Sequence, residues 1–101
     1  MKLLTKAICR QLPPLESQES KGLDAVAWVK FFTPDSSWTW YASEFDGSDL
    51  FFGLVKGWEE ELGYFGLREL EQIRGRLGLP VERDRFFRPT SLRKLMSSDR
   101  L

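Results

Sequence analysis

Apolar residues recur at helical spacing at the start of the chain. Leu4, Ala7, Ile8 and Leu12 share one face, Thr5 precedes them as an N-cap, and Pro13-Pro14 ends the run because proline has no amide donor. The spacing predicts a short amphipathic helix. From Leu15 to Gly22 the residues are polar and without period, so the 15–22 stretch is expected to be a mobile loop. Three aromatic-rich runs of strand length follow, Ala25–Thr33, Trp38–Phe45 and Leu50–Lys56. Thr33-Pro34-Asp35-Ser36-Ser37 separates the first two with a proline suited to position i+1 of a type I turn, and Asp46-Gly47 marks a tight hairpin between the second and third. An antiparallel meander is the expectation. The first run is apolar on both faces and is expected to sit centrally. In the middle run Trp38, Trp40 and Ala42 alternate with Thr39, Tyr41 and Ser43, which makes one face the more apolar.

Gly57-Trp58-Glu59-Glu60-Glu61 reads as a turn or short helical segment leading to a fourth strand over Leu62-Gly63-Tyr64-Phe65. Leu67, Leu70 and Ile73 then fall on one face of a short helix, with Gly75 as its glycine cap. Val81-Glu82-Arg83-Asp84-Arg85-Phe86 alternates charge in the manner of an exposed sheet edge. Pro89-Thr90-Ser91 can cap a last turn carrying Leu92, Leu95 and Met96, and residues 97–101 are expected to fray. The result is a single α+β domain over residues 1–96, a small antiparallel sheet of three to five strands with short flanking helices.

Composition narrows the chemistry more than the fold. With 101 residues there is no room for a second core. The chain has no histidine, which removes Ser-His-Asp and Cys-His catalysis and every histidine metal ligand. Cys9 is the lone cysteine, so no internal disulfide forms, and a reducing cytoplasmic location is the simplest expectation. Lys6 and Arg10 interrupt the opening apolar residues, so no signal peptide is expected, and no run approaches the roughly 18 apolar residues that span a bilayer. Gly53, Gly57, Gly63 and Gly66 match neither a phosphate loop nor a dinucleotide fingerprint, and no cofactor is implied.

The blocks Phe31-Phe32-Thr33-Pro34-Asp35-Ser36-Ser37-Trp38-Thr39-Trp40-Tyr41, Glu44-Phe45-Asp46-Gly47, Phe51-Phe52-Gly53-Leu54-Val55, Glu61-Leu62-Gly63-Tyr64-Phe65 and Leu77-Gly78-Leu79-Pro80-Val81-Glu82-Arg83-Asp84 resemble the bacterial family catalogued as domain of unknown function 2958. With Met1-Lys2-Leu3-Leu4-Thr5 the resemblance spans nearly the whole chain. Arg76 departs from the proline that the family commonly carries after Arg74-Gly75. The resemblance implies a small gene carried on plasmids, phages or integrated elements, and it transfers no catalytic residue.

Three constellations are candidates for function. Glu44, Asp46 and Asp49 surround a hairpin and could hold a divalent cation or share acid and base duties, although acidic residues beside Asp-Gly are ordinary turn formers. Fourteen per cent of the chain is aromatic; Trp28, Phe31, Trp38, Trp40, Phe51 and Phe52 read as core, whereas Trp58, between Gly57 and three glutamates, is as suited to display as to packing. Charge is segregated. Residues 1–34 hold 5 basic and 3 acidic side chains, residues 35–71 hold 2 and 9, and residues 72–101 hold 8 and 3.

If Trp58, Glu59, Glu60, Glu61, Glu69 and Glu71 form a continuous face, it attracts basic protein surfaces, including those that grip nucleic acid. If Arg74, Arg76, Arg83, Arg85, Arg88, Arg93 and Lys94 converge, they hold phosphates, with Phe86 or Phe87 stacking on a base. If the two segments neutralise each other across the fold, neither is a site. The leading expectation is a non-enzymatic binding protein whose partner is a bacterial protein or nucleoprotein complex, concretely an inhibitor of a host defence assembly of the CRISPR or restriction kind. A nucleic-acid binder is the alternative, and a carboxylate-based metal-dependent enzyme the weaker one. No membrane partner is expected, and the oligomeric state stays open.

Overall fold

A computed structural model describes residues 2–97, so most of the tail expected to fray, 98–101, lies outside the described residues. Helix α1 (Lys6–Gln11) begins where expected, with the Thr5 hydroxyl accepting the Ile8 amide at 3.2 Å. The first aromatic run forms two pieces, β1 (Val26–Ala27) and β2 (Val29–Phe32). After them come β3 (Thr39–Phe45), β4 (Leu50–Lys56), β5 (Glu60–Gly66), α2 (Leu67–Gln72), β6 (Glu82–Arg83), β7 (Thr90–Ser91) and α3 (Leu92–Ser97). The main sheet is antiparallel with order β5-β4-β3-β2-β6, and β1 pairs separately with β7. The chain is therefore an α+β domain built on a meander, with β6 added at the far edge. No helix among the described residues is long and apolar enough to cross a membrane.

Six details differ from expectation. The central strand is β3, not the first run, and β3 is buried on both faces beyond Thr39. Its alternation breaks at a bulge between Ala42 and Glu44, which leaves Ser43 without a partner residue on β4. The extra residue puts Trp40, Ala42 and Phe45 into the same core despite their uneven spacing. Glu60 and Glu61 belong to β5 itself rather than to a preceding turn or helix. The Asp46-Gly47 turn is longer than a tight hairpin: one Asp46 carboxylate oxygen accepts the amides of Ser48, Asp49 and Leu50, and Gly47 takes a φ of 90°. Gly75 does not cap α2, which ends in extended backbone at Ile73; positive φ falls instead at Gly78. The polar 15–22 stretch leads into a 3-10 segment (Glu19–Asp24) and holds a buried anchor, Gln18.

Two apolar layers lie against the sheet. On one face Phe31, Trp40, Phe45, Phe51 and Phe65 pack with Leu12 and with Leu70 of α2; Phe51 stacks on Phe45 at 4.5 Å and on Phe65 at 5.2 Å. On the other, Tyr41 and Leu54 meet Ala25, Ala27 and Leu92, with Phe87, Leu95 and Met96 at the margin. Lys56 fastens α3 to the sheet by donating to the Leu95 carbonyl at 2.7 Å. The turn at 33–37 forms as expected, with the Ser36 amide bonded to the Thr33 carbonyl.

Candidate functional site

Three of the four tryptophans meet at one end of the sheet. Trp38 follows the 33–37 turn, Trp40 lies two residues on along β3, and Trp58 occupies the β4–β5 turn. The Trp38 and Trp40 rings stack at 5.9 Å, and Trp58 stands edge-on to Trp38 at 6.4 Å and 88°. Gly57 makes this possible, because any Cβ there would enter the Trp38 indole. Exposure grades sharply: Trp40 is 5% exposed, Trp38 is half-buried, and Trp58 is 91% exposed. A tryptophan almost wholly in water beside two other indoles is an apolar surface open to a partner.

The rings border a cleft of about 920 Å³ whose opposite wall is the end of α2 and the loop after it, with Glu69, Ile73, Arg74 and Arg76. Asp35 ties this wall to the 33–37 turn. One of its carboxylate oxygens accepts the amides of Leu77 at 2.6 Å and Leu79 at 3.3 Å, while the other is pressed against Gly75 with no hydrogen-bond partner among the described residues. Arg74 is partly committed, donating to the carbonyls of Glu71 and Ile73. Glu69 accepts the Gly66 amide at 3.3 Å and so starts α2. The cleft thus offers indole faces, two guanidinium groups and carboxylates together.

The acidic set divides. Trp58 and Glu69 border the cleft, whereas Glu60 and Glu61 point to opposite faces of β5, and Glu60 pairs with Lys56 at 3.4 Å. Glu59, Glu61 and Glu71 are exposed. The basic set divides as well. Arg74 and Arg76 reach the cleft, on the side where Ile73 packs into the first core, whereas Arg93 and Lys94 lie on α3 over the second. Arg83 donates to the carbonyls of Lys2 and Leu3, and Arg93 pairs with Asp24 at 3.1 Å. Arg85 and Arg88 are exposed beside Phe86, itself 85% exposed, while Phe87 packs on Tyr41 at 5.6 Å.

The three hairpin carboxylates face three different duties. Asp46 closes its own turn, and those amide bonds hold its carboxyl below the usual aspartate range. Asp49 caps α2, accepting the Arg68 amide at 2.8 Å. Glu44, buried in β3, accepts the amides of Glu16 and Gln18, each at 2.8 Å. No group of three or more potential metal ligands occurs among the described residues. Among the six aromatics assigned to the core, Phe31, Trp40 and Phe51 are buried and Trp28, Trp38 and Phe52 half-buried. Sequence reasoning had no means of finding Asp35 and Gly57, whose parts depend on residues distant in the chain.

Fold and cleft together define a small α+β domain with a tryptophan-lined cleft open to solvent. The chain matches the family described as "Protein of unknown function (DUF2958)" over residues 3–97 and belongs to it. No curated protein and no solved structure matches it.

Proposed function

We propose that this protein is a non-enzymatic binding module that engages another protein through the tryptophan cleft, with Trp58 as the anchor. The observation that carries this reading is the indole of Trp58, 91% exposed and edge-on to Trp38 at the rim of the cleft. Interface energy concentrates in tryptophan and arginine set in pockets, and both border this cleft. The mixture of Arg74, Arg76 and Glu69 gives it polar contacts of both signs. The finer version, an inhibitor that occupies a bacterial defence assembly of the CRISPR or restriction type, rests on the mobile-element character that the family resemblance implies.

The test is recovery of a stoichiometric partner by cross-linked capture from a bacterial host, comparing the native chain with Trp58→Ala. Loss of the partner in the variant supports the reading. Equal recovery with both overturns the role of Trp58, and no stoichiometric protein together with undiminished host defence overturns the finer version.

Arg74 and Arg76 beside three indoles favour one second reading, stacking of single-stranded nucleic acid in the same cleft. It requires retention of oligonucleotide that weakens steeply with salt. Absence of binding in dilute buffer removes it.

A further inference from the structure

The two edges of the main sheet are unlike. At one, β6 is two residues long, and Arg83 carries the N-terminal segment across it through the Lys2 and Leu3 carbonyls. At the other, β5 runs seven residues without proline or lysine, and no strand among the described residues pairs with its outer side. Proteins ordinarily blunt such an edge, because its unpaired amides and carbonyls are a template for another strand.

The register shows which groups are free. The Leu67 amide bonds the Asp49 carbonyl and the Gly57 amide bonds the Glu59 carbonyl, so the hydrogen-bonded pairs between β4 and β5 are Phe51–Phe65, Gly53–Gly63 and Val55–Glu61. The amides and carbonyls of Leu62 and Tyr64 therefore face outward. Their side chains share one face of the strand and are 43% and 61% exposed.

We propose that β5 pairs with β5 of a second copy, antiparallel and two-fold about Gly63, to make one continuous sheet across a homodimer. In this register Leu62 of each copy meets Tyr64 of the other, exchanging both backbone bonds and covering each other's apolar side chains. Gly63 meets Gly63 in the closer, non-hydrogen-bonded position, where the space beside each Cα is empty. Glu61 falls opposite Phe65 and Glu60 opposite Gly66, so neither glutamate of β5 faces its own counterpart, and the Glu69 carboxylate already on the Gly66 amide confines the new backbone bonds to Leu62 and Tyr64. This reciprocal fit, Leu62 on Tyr64 twice over about an open Gly63, is what selects a second copy over a foreign strand.

Sedimentation equilibrium from low micromolar to near millimolar concentration tests this. The mass is expected to rise from 11.8 kDa toward twice that value. Leu62→Lys, a change at a partly exposed position, is expected to weaken association at least about tenfold without loss of the folded spectrum. Gly63→Cys in a Cys9→Ser background is expected to oxidise to a covalent dimer, since cross-strand Cα atoms in that position lie about 4.5 Å apart. A monomer at every concentration overturns the proposal, and so does a dimer that Leu62→Lys leaves intact. A dimer that Gly63→Cys does not cross-link overturns the register, and capture of a foreign strand on β5 with no self-association overturns the choice of occupant. None of these readouts depends on Trp58.

Discussion

The carboxylate of Glu44 accepts the backbone amide of Gln18 at 2.8 Å, with each residue only 5% exposed. The Gln18 side chain continues the connection, donating to the carbonyls of Val26 and Ser43 and accepting the Val26 amide. A polar stretch with no apolar period is thereby fixed to β1 and to the β3 bulge. Glu44→Ala would leave the Glu16 and Gln18 amides without that acceptor and is expected to destabilise the fold by about 2–4 kcal/mol. Urea unfolding measures the loss. Because Glu16 holds a φ of 69°, Glu16→Gly is expected to be neutral or stabilising by up to about 1 kcal/mol.

Glycines at matched positions on β4 and β5 should respond in opposite ways. A Cβ at Gly53 would collide with the Tyr41 carbonyl and lie 3.1 Å from the Ala42 Cα, whereas one at Gly63 meets nothing within 4 Å. Gly53→Ala is therefore expected to cost about 1–3 kcal/mol or more, and Gly63→Ala to lie within about 0.5 kcal/mol of the native chain. Thermal denaturation of the pair under dilute, monomeric conditions checks this.

The tryptophans should separate stability from binding. Trp40→Ala removes a buried ring and is expected to cost about 3–5 kcal/mol. Trp58→Ala removes an exposed one and should change stability by less than about 0.5 kcal/mol, while altering the fluorescence of Trp38 and abolishing partner capture. A large fall in melting temperature for Trp58→Ala would contradict the placement of that ring.

Acid should loosen the β3–β4 turn through Asp46. Its folded carboxyl is held below the usual range by the amides of Asp49 and Ser48. The stabilisation is thus fully present above the unfolded value, about pH 4, and is lost as pH falls through the folded one. Asp46→Asn is expected to be less stable than the native chain at neutral pH, with the difference shrinking below about pH 4. Melting temperature against pH for both proteins reads it.

Much of the fold was legible because its signals are local. Thr5 capping, the Pro34 turn, the aromatic-rich run of β4 and the 3.6-residue spacing of Leu67 and Leu70 each act within a few residues. The bulge at Ser43 was not, since it shows only when Ala42 and Glu44 are set against Gly53 and Phe52. Gly75 illustrates the same limit. It has the look of a helix cap, but its missing Cβ serves Asp35, forty positions away in the chain.

The amino-acid sequence alone settled the α+β class, the meander order, the absence of histidine chemistry and the singling out of Trp58. Tertiary structure decided that the charged segments scatter, that Glu44, Asp46 and Asp49 bind backbone amides, and that Trp38, Trp40 and Trp58 share a cleft with Arg74 and Arg76. The physical reason is reach. Capping, turn chemistry and periodicity are properties of neighbours along the backbone, whereas a cleft and a satisfied buried carboxylate depend on which distant segments the sheet register brings into contact.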